Sequence, residues 1–185
     1  MQTSSRRLDP AASALAVIDI QEKLLPAMCD PQPVAQNAAR LVRGAQVLQV
    51  PVLVTEQYRK GLGGTVAEVA SALGEFVPLE KLAFSACGAA GFVEALKAHR
   101  VRDVVLCGIE AHVCVTQTCL DLLDEGFRVV VVADATASRT RQNLEIGLGR
   151  MRDAGAWIGS TEMVLFEWLG RAGTDQFKQI LNLVK

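Results

Sequence analysis

The run VVLCGIEAHVC, residues 104–114, decides the fold class of this chain. It joins a continuous apolar segment, typical of a strand buried on both faces, to the start of a segment with helical periodicity. A buried strand that passes through a glycine turn into a helix is the repeating unit of a parallel sheet covered by helices. The run therefore predicts an α/β fold.

The same alternation of apolar and helical segments continues in both directions from this run. It predicts strands near Leu15–Ile20, Val52–Thr55, Leu82–Phe84, Asp103–Ile109, Arg128–Ala133 and Trp157–Ser160. It predicts helices near Val34–Leu48, Val66–Leu73, Gly88–His99, His112–Glu125, Arg141–Ala154 and Thr161–Leu169, with a last helix from Thr174. We expect a three-layer αβα sandwich with a six-stranded, mainly parallel, doubly wound sheet. A single domain would span residues 1–185, with residues 1–12 as a flexible N-terminal tail.

Composition excludes several classes of protein. No apolar run approaches the ~20 residues that span a bilayer, and residues 1–9 are polar without a following hydrophobic region, so we expect a soluble chain without a membrane partner. The five cysteines are an odd number and form no C-x-x-C pair, which favours the reducing cytoplasm over a disulfide framework. The net charge of −1 and the dispersed Lys and Arg residues argue against nucleic-acid binding.

Cys114 occupies the position of a nucleophile, in the first turn of the predicted helix. Free backbone N–H groups and the positive end of the helix dipole make a thiol there ionise more readily than a free cysteine. A thiolate so placed can attack a carbonyl carbon while neighbouring amides receive the oxyanion. The alternative is that Cys114 is a small buried hydrophobe on the core face of its helix.

Polar side chains follow several predicted strands at the edge where ligands bind in such sheets. Asp19 ends the first strand, Glu56–Tyr58 follow the second, and Cys114 follows the fourth. These residues predict a pocket at the carboxyl edge of the sheet. The glycine-rich run Gly61–Gly64 lacks a phosphate-binding pattern and is interpreted as a mobile loop over this pocket, whereas Gly147–Gly149 lies within a helix and indicates close packing.

Neither histidine is a convincing base for Cys114. His112 is two residues away and points in another direction on a helix, and His99 ends a different helix. From the residues alone, Asp19 could be a capping or turn acceptor and Lys81 a solvated surface lysine.

Three segments together resemble the isochorismatase-like cysteine hydrolases. They are the strand Ser13–Gln21 with its carboxylate, the run Pro78–Ser85 with its lysine, and the run ending in Cys114. The runs DIQEK (19–23), PVLVTEQY (51–58), GLG (61–63) and CGIEA (107–111) are most similar to the group called isochorismatase domain-containing proteins. The similarity extends from about Ala14 to Phe177.

The resemblance implies a catalytic set of Asp19, Lys81 and Cys114. Asp19 would accept the thiol proton, and Lys81 would hold Asp19 and favour the thiolate. A non-prolyl cis peptide is implied between Ile109 and Glu110, with an oxyanion hole formed by the N–H groups of Glu110 and Cys114. The residues expected to line the substrate pocket are Gln21, Gln57, Tyr58, Phe84 and Glu110.

Two departures from related enzymes restrict the reaction. Nicotinamidases of the superfamily carry a metal-binding D-x-H pattern after the second strand, whereas this chain has Thr55-Glu56-Gln57-Tyr58, so we expect no metal and no other cofactor. True isochorismatases lack the cysteine. The sequence therefore predicts hydrolysis of a small amide or carbamoyl-type substrate through a thioester on Cys114. The alternative is a non-catalytic or weakly active small-molecule-binding or regulatory protein that retains the fold.

The segment Thr161–Leu169 is apolar around most of its circumference. A helix that packs on one core needs only a single apolar stripe, so this segment predicts a homo-oligomer, a dimer or tetramer. The alternative is a helix wedged within one subunit.

Overall fold

The structure is a computed structural model that describes residues 6–185. Within these residues, six strands form one sheet: β1 Ser13–Ile18, β2 Val52–Gln57, β3 Leu79–Lys81, β4 Asp103–Ile109, β5 Arg128–Ala137 and β6 Trp157–Gly159. Every neighbouring pair is parallel, and the spatial order is β3-β2-β1-β4-β5-β6. The order reverses between β1 and β4, which makes the sheet doubly wound. The predicted fold class is confirmed, with a sheet that is wholly rather than mainly parallel.

Helices connect the strands across both faces of the sheet. Their bounds are α1 Pro31–Val47, α2 Arg59–Leu62, α3 Ala67–Leu73, α4 Phe92–Ala98, α5 Thr116–Asp124, α6 Arg141–Asp153, α7 Thr161–Leu169 and α8 Asp175–Val184. A π-helical turn, Ala111–Val115, runs directly into α5, and short 3₁₀ turns cover Pro10–Ala12, Leu25–Ala27 and Ala86–Gly88. The helix predicted from His112 therefore begins with a wider turn than an α-helix has.

Two apolar cores, one on each face of the sheet, establish the three layers. Successive strand residues point to opposite faces, so Val105 of β4 joins one core and Leu106 the other. The first core is closed by α1, α3, α7 and α8, and the second by α4, α5 and α6. Each large aliphatic side chain buried in this way contributes about 1.5–3 kcal/mol to the free energy of folding. Cys114 belongs to the second core.

Two of the differences from the predicted strand boundaries lie beside the candidate site. The first strand ends at Ile18 because Asp19 has a left-handed backbone, with φ of 51°. The third strand is Leu79–Lys81 rather than Leu82–Phe84. The carbonyls of Ala83 and Phe84 turn back to the Lys81 ammonium, at 3.3 and 2.9 Å, and cannot extend the ladder. The apolar residues that suggested a strand are therefore exposed.

Helix α7 has the predicted bounds, but its apolar residues pack within the subunit. Val164, Leu165 and Trp168 are buried in the first core, and only Met163 is a large apolar residue exposed on this helix. Gly44 of α1 allows this packing, because a Cβ there would lie 2.1 Å from Leu165 Cδ2. The helix is wedged within one subunit, so its composition gives no support to an oligomer.

The described part of the N-terminal segment is fixed to the domain at Leu8, whereas Arg6, Arg7, Asp9 and Ala11 are exposed. Residues 1–5 of the predicted tail lie outside the described residues. Leu8 is buried, and Asp9 caps the turn Pro10–Ala12 by accepting a hydrogen bond from the Ala11 N–H at 3.0 Å. Among residues 6–185, no helix is both long enough and apolar enough to cross a membrane.

Candidate active site

Asp19 and Lys81 form a buried ion pair at the carboxyl edge of the sheet. Asp19 follows the end of β1 and Lys81 ends β3, and Lys81 Nζ lies 2.6 Å from Asp19 Oδ2. Both side chains are fully excluded from solvent. A buried charge is tolerated only when it is paired and hydrogen-bonded, so each group depends on the other.

Strand β2 lies between these two residues and supplies further hydrogen bonds. The Thr55 hydroxyl donates to Asp19 Oδ1 at 2.7 Å, and Lys81 Nζ donates to Gln57 Oε1 at 2.8 Å. Strand register explains the placement, because Thr55 pairs with Ile18 and Gln57 pairs with Lys81. Thr55 was missed as a site residue from the sequence. The signal was its hydroxyl beside the end of β1, which becomes apparent only once the register is known.

Cys114 faces the buried pair from the π-helical turn after β4. Its thiol hydrogen-bonds to the Asp19 carboxylate, and the backbone N–H of Glu110 donates to the Cys114 sulfur. The structure therefore brings together the three residues that the sequence singled out. Only 6% of the Cys114 surface is exposed.

Burial raises the pKa of the Cys114 thiol from 9.0 to about 12. The negative charge and hydrogen bond of Asp19 contribute to this rise in pKa, whereas Lys81 and the Glu110 N–H act in the opposite direction. The expectation of a readily ionised thiol is therefore wrong for this state of the protein. A position at the start of a helix lowers the pKa of a thiol. Here that effect does not outweigh the exclusion of water and the negative charge of the neighbouring carboxylate, which both raise the pKa.

The turn that carries Cys114 has the backbone implied by the family resemblance. The Ile109–Glu110 peptide is cis, and Gly108 before it has φ of 132°. A Cβ at Gly108 would lie 2.1 Å from the Ile18 carbonyl oxygen, so only glycine allows β1 and β4 to approach here. Glu110 accepts backbone hydrogen bonds from Val113 and Val115 at 3.0 and 3.2 Å.

Helix α6 supports this turn from outside. A Cβ at Gly147 would lie 3.1–3.2 Å from backbone atoms of Ala111 and His112, which confirms the close packing predicted for this glycine. His112 is hydrogen-bonded to Ser138 through Nδ1, at 2.9 Å, and is therefore not a base for Cys114 in this geometry. The Glu110 carboxylate pairs with Arg139 at 2.6 Å.

The predicted pocket residues differ in exposure, and Gln57 and Glu110 are partly buried. Gln21 is fully buried, and its amide bonds to the Gln57 N–H, to the Gln57 carbonyl and to the Gly63 carbonyl, at 2.7–3.0 Å. Gln21 therefore acts on the pocket indirectly, by fixing the backbone of Gln57 and Gly63. Tyr58 and Phe84 are exposed residues, with exposed fractions of 52% and 53%.

The segment predicted to be a mobile loop is anchored by several hydrogen bonds. Residues Arg59–Leu62 form α2, and Thr65 donates to Glu56 Oε1 through its N–H and its hydroxyl, both at 2.8 Å. The other Glu56 oxygen pairs with Arg59 at 3.1 Å. The nicotinamidase metal position carries Glu56 and Gln57 in this chain; Glu56 Oε1 accepts both Thr65 hydrogen bonds, whereas Oε2 is buried with only the Arg59 ion pair. Within residues 6–185, no three His, Cys, Asp or Glu side chains are grouped to hold a metal ion.

Comparisons with known proteins agree with this architecture. The family model for the isochorismatase domain matches residues 13–163. Isochorismatase domain-containing protein 2 of Macaca fascicularis is 41% identical over 184 residues, which are 97% of this chain and 86% of that protein. The structure of MAR1 ribonuclease from Caenorhabditis elegans has a TM-score of 0.91 and 38% identity, covering 96% of this chain and 92% of that one.

A more distant structure is YcaC from Pseudomonas aeruginosa, which contains hexane-2,5-diol and covalent acrylamide. Its TM-score is 0.89 and its identity 26%, with 98% of this chain and 93% of that chain covered. The match of the family model to most of the chain, together with relatives at about 40% identity, shows that this chain belongs to the isochorismatase domain family.

Proposed function

We propose that this protein is a cysteine hydrolase that cleaves a small amide or carbamoyl compound through a thioester on Cys114. The observation that carries the proposal is the contact of the Cys114 thiol with the buried Lys81–Asp19 pair. A buried carboxylate that is paired with a lysine can act as the proton acceptor for a thiol beside it.

The first step couples proton transfer to attack. Because the Cys114 thiol is protonated at neutral pH, it becomes nucleophilic only as its proton passes to Asp19. The sulfur forms a bond to the substrate carbonyl carbon, and the carbonyl π electrons move to the oxygen. Lys81 stays charged and holds Asp19 through the step. The N–H groups of Glu110 and Cys114 would donate hydrogen bonds to the oxyanion.

Collapse of the tetrahedral intermediate breaks the carbon–nitrogen bond. The leaving nitrogen takes the proton from Asp19, and ammonia or an amine departs while the acyl group stays on Cys114. A water molecule then gives a proton to Asp19 and attacks the thioester. The acid product leaves, and the Cys114 thiol regains its proton.

We propose that the site takes a small, uncharged substrate. Gln57, Tyr58, Phe84 and Glu110 are the proposed contacts, with Gln21 acting through the backbone of the loop. The acrylamide bound covalently in the Pseudomonas aeruginosa relative is a small amide of the proposed size. We also propose that the reaction needs no metal or cofactor, and that the protein works in the cytoplasm, where its five free cysteines would stay reduced.

Ammonia release from a library of small amides and carbamoyl compounds tests this function. Wild type should turn over at least one compound, and Cys114→Ala and Asp19→Asn should each lose at least about 100-fold in kcat/KM. Cys119→Ala is the matched control, because Cys119 is a buried thiol one helical turn further along, outside the Asp19 contact. Compounds that raise the melting temperature without turnover would favour the non-catalytic binding protein.

RNA cleavage is the second function to test, because the Caenorhabditis elegans relative is named a ribonuclease. Nucleic-acid affinity comes mostly from Lys and Arg contacts to phosphates, and this chain has a net charge of −1. We therefore expect no RNA cleavage by the same preparations. RNA cleavage by wild type that is lost in Cys114→Ala would instead assign the site to RNA.

A further inference from the structure

We propose that a cleft between α1, the end of β5 and α6 is a second small-molecule site, and that it binds a small, uncharged alcohol. The cleft has a volume of about 280 Å³. An apolar cavity of about 150 Å³ is large enough to hold benzene, so this cleft has room for a six-membered ring with a polar substituent. We call it the β5 cleft.

The β5 cleft exists because β6 is much shorter than β5. Strand β6 pairs with β5 through residues 130–132, so within the described chain residues 133–137 of β5 have no strand on their outer side. Helix α1 begins at Pro31 beside this edge, and α6 begins at Arg141. Arg141 pairs with Asp30 at 3.0 Å and so links the two helical walls. Both of these side chains are exposed, and exposed ion pairs contribute little to stability, so this pair can open for a ligand.

The lining of the β5 cleft is mainly apolar. Its apolar residues are Pro33, Val34, Ala133, Ala137 and Leu144. A charged ligand would lose its hydration on such a surface without gaining a partner. The carboxylates of Asp30 and Asp134 also line the cleft and disfavour an anion. The lining therefore selects an uncharged ligand with an apolar body.

Thr136 supplies the polar contact of the β5 cleft. Thr136 is 2% exposed, and its hydroxyl has no hydrogen-bond partner among the described residues. Buried polar side-chain atoms are nearly always hydrogen-bonded, so this exception requires an explanation. A ligand hydroxyl that reaches Thr136 Oγ1 would satisfy it, because hydroxyl groups both donate and accept.

The other polar groups of the lining already have partners within the protein. The Asn37 amide donates to the Asp134 carbonyl at 2.7 Å. Asp134 Oδ1 accepts hydrogen bonds from the Thr161 N–H and hydroxyl, at 2.7 and 3.0 Å. Asp30 is paired with Arg141. One hydroxyl group on the ligand therefore matches the single unpartnered group of the lining.

The β5 cleft is separate from the candidate active site, and the proposal does not rest on the proposed function. The lining contains no proposed catalytic residue and no proposed substrate contact. The two sites are nevertheless neighbours, because Thr136 and Ala137 pair in register with Gly108 and Ile109 of β4. These β4 residues lead into the turn that carries Cys114.

Saturation-transfer NMR with cyclohexanol as the probe tests the site. Wild type should bind cyclohexanol with a dissociation constant of about 1 mM, as expected for a ligand of this size. Ala133→Leu should abolish binding by filling the cleft. Thr136→Val should raise the dissociation constant about five- to tenfold, because it removes the hydrogen bond but keeps the shape. Thr118→Val is the matched control and should bind normally, because Thr118 is a buried threonine outside the cleft.

Thermal melts without ligand give a second and independent measurement. Thr136→Val should melt at or above the temperature of wild type, because it removes a hydroxyl that has no partner. Thr118→Val should melt below wild type, because the Thr118 hydroxyl accepts the Ala86 N–H at 2.8 Å. Circular dichroism should show that all of these variants fold.

Several results would overturn the proposal. They are a wild type that does not bind cyclohexanol, binding that survives in both Ala133→Leu and Thr136→Val, and a Thr136→Val variant that is less stable than Thr118→Val. Tyr58→Ala should bind cyclohexanol as wild type does. Binding that is lost in Tyr58→Ala but kept in Ala133→Leu would place the alcohol in the candidate active site instead.

Discussion

Cys114 shows how strongly the surroundings of one residue govern its chemistry. Its place at the start of a helix favours an ionised thiol, yet burial and Asp19 raise its pKa to about 12. In the proposed mechanism, the proton would therefore pass to Asp19 only when a substrate is present. The raised pKa would then keep the proposed nucleophile unreactive between turnovers.

Alkylation at neutral pH should label Cys29 before Cys114. The Cys114 thiol is protonated and almost inaccessible, whereas Cys29 is partly exposed. Limited iodoacetamide treatment and peptide mass mapping measure the order. The internal reference is Cys119, which is fully buried with its pKa raised to about 12 and should be labelled last. Labelling of Cys114 faster than Cys29 would show that the thiolate exists in the resting protein.

At the scale of the element, β2 organises the candidate site although it carries no proposed nucleophile or base. Thr55 and Gln57 at its end hold Asp19 and Lys81 from the strands on either side. The parallel register places these side chains at the same height as their partners. Positioning of this kind can affect the rate without any contact to substrate.

Thr55→Val should reduce kcat about tenfold or more while the protein still folds. Valine keeps the shape of threonine but removes the donor to Asp19 Oδ1, at a cost of about 1–3 kcal/mol in unfolding free energy. Thr118→Val is the matched control, because Thr118 is an equally buried threonine whose hydroxyl accepts the Ala86 N–H. Steady-state kinetics and urea unfolding measure both effects. Equal losses of kcat in the two variants would contradict a specific role for Thr55.

Alanine substitutions at two glycines of α6 form a second pair of matched variants, which tests the packing of this helix. Gly147→Ala should lower the unfolding free energy by about 1–3 kcal/mol, because the new Cβ meets the backbone of Ala111 and His112 at 3.1–3.2 Å. It should also reduce kcat by shifting the turn that carries Cys114. Gly149→Ala meets nothing within 4 Å and should stabilise the helix by about 0.4–1 kcal/mol. Thermal melts that rank the two variants in the opposite order would be inconsistent with this packing.

At the scale of the whole molecule, four thiols with raised pKa values, three of them buried and Cys87 partly buried, link stability to pH. Burial raises the pKa of Cys87 to about 11, and that of Cys107, Cys114 and Cys119 to about 12, from 9.0 in each case. The folded protein therefore holds these protons more tightly than the unfolded chain does. This contribution to stability is fully present below pH 9 and is lost as the pH rises toward 12.

Cys107 allows this linkage to be measured, because it lies in β4 away from solvent and outside the candidate site. Between pH 9 and 11, the unfolding free energy of Cys107→Ala should fall less steeply than that of wild type, by about 1.4 kcal/mol per pH unit. Urea unfolding at several pH values gives both slopes. Parallel slopes would mean that the Cys107 thiol titrates normally in the folded protein.

Activity should be unaffected by chelators. Glu56 lies at the position where nicotinamidases carry their metal ligands. Its carboxylate is hydrogen-bonded to Thr65 and paired with Arg59. Incubation with EDTA, followed by addition of zinc, iron or manganese, is the measurement. Inhibition by EDTA that one of these metals reverses would disprove the metal-free mechanism.

The fold class and part of the candidate site could be predicted from the pattern of strands and helices. Buried strands alternating with helices require a covered parallel sheet, and residues that follow such strands must meet at its carboxyl edge. For this reason Asp19 and Cys114 could be predicted to lie at one edge, whereas the place of Lys81, 62 residues from Asp19, was implied only by the family resemblance. Gly147 could likewise be predicted to mark close packing.

The burial and the hydrogen-bond partners of these residues became apparent only from the tertiary structure. The protonation of Cys114, the committed amide of Gln21 and the supporting role of Thr55 all depend on burial and on neighbours from other strands. The same is true of α7, whose apolar surface is covered by its own subunit, and of Leu82, whose exposure an apolar pattern cannot reveal. Periodicity reports which face of an element is apolar, but solvent access and hydrogen-bond partners are set by contacts between distant parts of the chain.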